Sequence, residues 1–337
     1  MRQNIIVIDS NETEGNDFLR GVSESTGKKW LLLVKKNNNR SSAIANIIRY
    51  IKYATIPFGL FLRRKRYENI ITWQQYYGLF FAFYCRLFHV KKSNKLLVMT
   101  FIYKPKKGFV GKIYDSFFEY VVHGGYIDGY TCVAKIECEN YSKRFNENIN
   151  KFHYIRWGLP DYSIQYPSCS SDARYVFSAG RSNRDWPFVF EALGNEDLAC
   201  VFVCGEGDYA GKYRNIRVER NISDSDYYSL LAKAFCVLIS IKDVTISAGQ
   251  ITLIQAMQFG KPVILTQSDG LTNDYVVNGE TALVVPKDRG AVIGAIKKLR
   301  EDEKLYRELA MNGRNLYEKV FSNYRLGIDT GDVFNSI

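Results

Sequence analysis

Short apolar runs alternate along the whole chain with segments whose apolar residues recur at helical spacing. That alternation predicts βαβ units and parallel sheets, because a strand buried on both faces reads as a continuous apolar run. In the first half the predicted strands lie at 4–9, 30–34, 69–73, 96–101 and 131–135. In the second half they lie at 175–179, 200–204, 216–219, 236–240, 262–266 and 282–285, with helices between them at 227–234, 253–259 and 291–299. The pattern breaks at 157–173, where Gly158, Pro160, Pro167 and a serine-rich run supply turn chemistry without periodicity. Two α/β domains are therefore expected, 1–160 and 161–337. A chain of 337 residues is long enough for each to own a core.

One stretch between predicted strands carries more than packing. Ser247-Ala248-Gly249-Gln250-Ile251-Thr252 opens a helix that continues through Gln255 and stops at Gly260, ahead of Lys261-Pro262-Val263-Ile264. The glycine turn leaves backbone N–H groups free at a helix N-terminus, where the helix dipole favours an anion. At the carboxyl edge of a parallel sheet, such a turn is expected to take a phosphate or diphosphate. A turn that only packs is the alternative reading.

Charge divides the halves. Residues 1–165 hold 26 Lys/Arg against 13 Asp/Glu, whereas 166–337 hold 20 against 22. The first half is thus expected to meet a negative surface. Three of its segments interleave aromatic and basic residues, at 57–67, 76–92 and 101–118, which suits an anionic lipid headgroup layer. A buried apolar set with a solvated charged face is the competing reading, and nucleic acid is not expected because no recognised module appears. No apolar run approaches a membrane span, and the run at 5–8 ends at Asp9, too short for a signal peptide. Seven cysteines without C-x-x-C spacing argue against both a disulfide framework and a zinc site, which points to a reducing cytoplasm.

Several loops follow predicted strands and would meet at one edge. They are Gly180-Arg181-Ser182-Asn183-Arg184, Gly205-Glu206-Gly207-Asp208, Glu219-Arg220-Asn221-Ile222 and Ser240-Ile241-Lys242-Asp243. With the pieces Gln255-Ala256-Met257, Gly260-Lys261-Pro262-Val263-Ile264 and Asn278-Gly279-Glu280-Thr281-Ala282, this ordered set resembles the nucleotide-sugar-binding domain of GT-B glycosyltransferases of the family 4-like group (glycosyl transferases group 1). The resemblance covers roughly 133–320. It implies two Rossmann-like domains with parallel sheets facing across a cleft, the first binding the acceptor and the second a UDP- or GDP-linked sugar. It further implies that a last helix, about 315–337, crosses back to the first domain.

The same resemblance implies roles. Diphosphate binding falls to the backbone around Ala248, Gly249, Gln250 and Ile251 and to the Thr252 hydroxyl, with Gly180, Arg181, Arg184 and Lys242 beside them. Gln255 is expected at the ribose, and Asn221 and Ile222 at the base. Two glutamates usual in the family are replaced by Ser247 and Gln255, and a histidine usual after the fourth strand is absent, since Phe101-Ile102-Tyr103 stands there. Retention or inversion is therefore open; if the reaction inverts, Asp9, Asp115, Glu119 or His123 would supply the base. Asp224-Ser225-Asp226 has D-x-D spacing but reads, with Ser223, as a helix cap, so no metal and no cofactor are expected. The implied product is a cell-surface polysaccharide, built on a lipid-linked or polysaccharide acceptor by a cytoplasmic enzyme peripheral to the membrane. A non-catalytic nucleotide-sugar or polyanion-binding protein of the same fold is the alternative.

Overall fold

The computed structural model describes residues 2–9, 12–37, 43–166, 175–205 and 211–337. Its chain forms two compact units, Met1–Ile155 with Asn323–Ile337, and Arg156–Ser322. Each unit is built on one six-stranded sheet in which all recorded pairings are parallel.

The first unit runs β1 (Gln3–Ile8), α1 (Glu12–Thr26), β2 (Trp30–Val34), α2 (Ala43–Leu62), β3 (Tyr67–Thr72), α3 (Gln75–Leu87), β4 (Lys95–Val98), α4 (Gly108–Val122), β5 (Gly129–Cys132), α5 (Lys135–Phe145) and β6 (Phe152–Tyr154). Its sheet order is β2-β1-β3-β4-β5-β6. Strand side chains alternate between faces, and β1 shows what that does. Ile5 and Val7 join a core made with α2, α3, α4 and α5, while Ile6 and Ile8 join one with Phe18 and Val22 of α1. Both faces are covered, which is why these strands carry no polar alternation.

The second unit runs β7 (Val176–Gly180), α6 (Trp186–Leu193), β8 (Cys200–Cys204), β9 (Ile216–Glu219), α7 (Asp224–Lys233), β10 (Cys236–Ile239), α8 (Gln250–Gln258), β11 (Val263–Thr266), α9 (Asp269–Tyr275), β12 (Leu283–Val285), α10 (Arg289–Glu301) and α11 (Glu303–Val320). Its sheet order is β12-β11-β10-β7-β8-β9. The chain then enters α12 (Asn323–Ser336), which packs on α1 in the first unit. Glycines set that approach: a Cβ on Gly21 would stand 2.3 Å from the Tyr324 carbonyl, and one on Gly327 2.3 Å from that of Phe18.

Element ends shift by up to three residues from the sequence reading, as where the strand expected at 131–135 ends at Cys132 and α5 opens at Lys135, and three differences have a visible cause. The strand expected at 96–101 stops at Val98, because Thr100 takes a left-handed φ of 55° and Phe101 turns its N–H to the Thr131 carbonyl at 2.8 Å. The terminal helix expected at 315–337 is two helices, broken at Phe321–Ser322, and only the second belongs to the first unit. The units divide at 155/156 rather than 160/161. Leu159 is drawn into the second unit, where its N–H donates to the Phe321 carbonyl at 2.8 Å.

Candidate active site at the carboxyl edge of the second sheet

In the second sheet the strand order reverses between β7 and β10, which pair directly. Connections leaving such neighbours diverge and open a crevice beyond their carboxyl ends. Here the two loops are tied together across it. Arg184 and Ile241 form an antiparallel bridge, Asp185 N–H donates to the Ser240 carbonyl at 3.0 Å, and Lys242 N–H to the Asn183 carbonyl at 3.1 Å. Asn183 sits at a left-handed φ of 56° and works as the clasp. Its amide oxygen accepts from Asp243 N–H at 3.0 Å, and its amide nitrogen donates to the Asp243 and Ile246 carbonyls at 2.9 and 3.3 Å.

Arg184 occupies the mouth of this crevice. Its Nε donates to the Ala179 carbonyl at 2.9 Å, and one terminal nitrogen donates to Thr252 Oγ1 at 3.1 Å. Gly180, at φ 142°, makes room: a Cβ there would stand 2.5 Å from Arg184 Nε and 2.7 Å from Cζ. Burial pulls the guanidinium pKa down to about 10, with Tyr227 nearby opposing the fall. At neutral pH the group is still a cation, now in surroundings where water screens it poorly.

Gly249 caps α8 at a left-handed φ of 100°, and no side chain caps that end. Its carbonyl accepts from Leu253 N–H at 2.9 Å, so the first-turn N–H groups of Gln250, Ile251 and Thr252 are left to face the edge. A Cβ at Gly249 would lie 2.8 Å from Leu271 Cδ2. Ser247 Oγ and Gln250 Nε2 are buried there without a partner. Ala248 is half-buried, Ile251 exposed, and Thr252 buried. An uncapped helix end, two unspent polar groups and a poorly screened Arg are together a site for an anion.

The remaining expected residues separate. Lys242 is exposed on the same edge, and among the described residues no ion pair or hydrogen bond is recorded for its ammonium. Lys287, two residues beyond β12, was not anticipated. Its Nζ lies 2.9 Å from Asp185 Oδ2 and donates to the Lys242 carbonyl at 3.4 Å. Arg181 is exposed and passes over Gly205, whose added Cβ would lie 3.7 Å from its Cγ. Glu206, Gly207 and Asp208 fall outside the described residues. Asn221 is exposed at φ 52°, and Ile222 lines a cavity of about 270 Å³ with Glu219, Asp226 and Lys233.

Gln255, expected at the ribose, is engaged elsewhere. It is buried, its Oε1 accepts from the Tyr227 hydroxyl at 2.8 Å, and its Nε2 donates to the Tyr228 hydroxyl at 3.1 Å. The amide therefore braces α8 against α7. Gln255→Leu is expected to lower the unfolding free energy by about 1–2 kcal/mol, read by urea denaturation. An unchanged midpoint would show that these bonds contribute nothing and free Gln255 for a ligand.

Asp224 and Asp226 open α7 as its acidic first turn. Ser223 is the N-cap, its Oγ accepting from Asp226 N–H at 3.1 Å and donating to Asp226 Oδ2 at 2.7 Å. This is the helix cap that the sequence suggested. Among the described residues no group of three or more His, Cys, Asp or Glu could hold a metal ion.

The four candidate bases of the first unit do not share one place. Asp9 follows β1 at the carboxyl edge, beside the reversal between β1 and β3, and accepts from Gln74 Nε2 at 3.3 Å. Asp115 accepts from the Tyr103 hydroxyl at 2.6 Å. Glu119 and His123 end α4, which runs back toward the amino edge, so they lie at the opposite end of the sheet. They are bonded to each other at 3.0 Å, and Glu119 also pairs with Arg144 at 2.5 Å. Of the four, only Asp9 stands where a parallel sheet binds ligands.

The family of glycosyl transferases group 1 matches residues 196–316, which include β8 to α10 and most of α11. A capsular polysaccharide biosynthesis glycosyltransferase, CapM of Staphylococcus aureus, is 31% identical over 139 residues. That alignment spans 36% of this chain and 36% of the relative, so the chain matches about a third of the relative's length. Among solved structures, Anabaena HepE in complex with UDP and glucose superposes with a TM-score of 0.67 at 12% identity, covering all of both chains. Sucrose-phosphate synthase of Thermosynechococcus elongatus gives 0.67 at 16% identity over 99% of each chain. At such identities the structural likeness establishes the fold, which is that of the GT-B glycosyltransferases.

Proposed function

We propose that this chain, which belongs to the glycosyl transferases group 1 through residues 196–316, moves a sugar from a nucleoside diphosphate sugar to a saccharide acceptor in surface-polysaccharide assembly. The observation that carries the reading is the pairing of Arg184 with the uncapped start of α8, joined through Thr252 Oγ1 at 3.1 Å. As the bond between sugar carbon and phosphate oxygen breaks, negative charge gathers on the leaving diphosphate. Fixed amides and a guanidinium meet it there without reorganising. Lys242 and Lys287 add positive charge along the same edge. No step in this scheme calls for a metal ion, because these groups supply the cationic stabilisation.

The acceptor is read as lipid-linked, in keeping with the strongly basic first half and with the part CapM takes in capsular polysaccharide biosynthesis, and the site of action as the cytoplasmic face of the membrane. If the reaction inverts, Asp9 is the carboxylate at the carboxyl edge of the first sheet and takes the acceptor proton. If it retains, an oxygen of the leaving phosphate takes it.

Positions 247 and 255 carry Ser and Gln, and the Gln255 amide is committed to two tyrosines. That observation favours one second reading, a binding protein of the same fold without turnover. Incubating the full chain with UDP- and GDP-linked sugars, with and without a lipid extract as acceptor, separates the two. Release of nucleoside diphosphate that depends on the extract is expected. Binding by calorimetry without release under any pairing would support the second reading, and absence of both would refute the donor site.

A further inference from the structure

We infer that the outer face of α2, α3 and α4 is a docking surface for an anionic lipid bilayer, with α2 lying in the plane of the headgroups. The inference goes beyond the donor site and stands on the first unit alone.

These three helices form one layer. α3 packs on both of its neighbours, with Phe58 of α2 against Tyr84 at 5.1 Å and Phe80 against Phe117 of α4 at 4.9 Å. Most of the aromatic and basic segment 76–92 is consumed in that packing: Tyr77, Leu79, Phe81 and Ala82 are buried. What remains outside is arranged. Along α2, Ile44, Ile47, Ile48, Ile51, Phe58 and Leu62 are all exposed, four of them by more than half. Their spacing of three, four and seven residues puts them on one helical face. At 1.5 Å per residue the stripe runs about 27 Å. Its other side, with Tyr53, Leu60 and Phe61, is already in the core. The helix is thus apolar on the side that faces protein and on the side that faces outward. On the same layer, α4 opens with Phe109, Val110 and Ile113, each exposed by 57% or more.

Cations frame this apolar surface. The 3₁₀ turn Arg64–Arg66, with Arg63 before it, closes one end of α2. Lys52 flanks the stripe near its other end, and exposed Lys104, Lys106, Lys107 and Lys112 surround the tip of α4. From 28 to 114 the chain holds 19 Lys/Arg and one acid, Glu68. That composition decides the occupant. A second copy of the same face would bring like charges together around the apolar stripe. An anionic bilayer meets both features at once, with cations at the phosphates and Ile, Leu and Phe at the acyl boundary. No helix among the described residues is long and apolar enough to cross the membrane, so the contact is one of lying on the surface.

The test is flotation of the full chain with vesicles of phosphatidylcholine alone and with about one third phosphatidylglycerol. Binding to the anionic vesicles is expected, at least tenfold stronger than to the neutral ones. Ile47→Glu with Ile51→Glu should cut that binding by tenfold or more, as should Phe109→Glu alone. The unfolding midpoint, and nucleoside diphosphate release with a soluble saccharide acceptor, should stay unchanged, since all three side chains are exposed on the first unit while the donor edge belongs to the second. Lys106→Glu with Lys107→Glu, which alters no apolar group, should weaken binding and reduce its salt dependence. Equal binding to both vesicles, or flotation of the apolar variants like the parent, would overturn the inference. So would a parent dimer in light scattering that the Ile47 and Ile51 substitutions dissolve, since the face would then belong to a second copy.

Discussion

Arg184→Ala is expected to lower turnover by about two to three orders of magnitude, the usual consequence of removing one preorganised donor from a developing oxyanion. Nucleoside diphosphate affinity should fall with it, because the guanidinium meets charge already present in the bound diphosphate. Stability should move in a different way. Burial has lowered the pKa of this side chain to about 10, below its value in an unfolded chain. A base whose pKa falls on folding is less comfortable charged in the fold, so at neutral pH its burial opposes folding. Removing it relieves that cost and loses the bonds to Ala179 and Thr252. The two effects oppose each other, and a nearly unchanged unfolding midpoint is the expected sum. Arg184→Lys keeps a charge but not the planar fork, and should recover only part of the loss. Steady-state release of nucleoside diphosphate, with calorimetric titration of UDP and GDP, measures both quantities. If Arg184→Ala bound and turned over like the parent, the residue would be a structural cation alone.

Gly180→Ala should reproduce the Arg184 phenotype without touching Arg184. The φ of 142° is open only to glycine in practice, and the new methyl would lie 2.5 Å from Arg184 Nε. Either the backbone shifts or the guanidinium leaves its place, and both unseat the anion site. A stability loss of about 1–3 kcal/mol is expected from the strained backbone. The double variant tests the mechanism: if Gly180 acts by seating Arg184, adding Gly180→Ala to Arg184→Ala costs no further nucleotide affinity. Additive losses would show that the glycine serves the site by another route.

Much of this arrangement is legible in the sequence. The apolar runs mark five of the six strands in the first unit and all six in the second because parallel strands buried on both faces lack alternation. The sixth strand of the first unit, β6, is only three residues long, too short to show a period. The Gly249 turn was visible because glycine before an amphipathic run has few other uses. Three things were hidden. Gln255 reads as a polar residue on a site-facing helix, but its partners, Tyr227 and Tyr228, lie on another helix and no local pattern connects them. Asn183 and Lys287 matter through loops that meet only after the sheet forms. The apolar members of 57–67 and 76–92 look alike in the sequence, yet folding buries most of α3 and leaves a stripe of α2 outside. Charge counting found the basic half, but only the helix layer shows which of its apolar residues remain at the surface.

The central claim is that the start of α8 and Arg184 together hold a diphosphate. Crystals of the full chain grown with saturating UDP or GDP test it most directly. The account predicts the distal phosphate within hydrogen-bonding distance of the Gln250 or Ile251 N–H and of the Arg184 guanidinium. A diphosphate bound elsewhere, or density showing that crevice filled by the protein's own side chains at saturation, would contradict it.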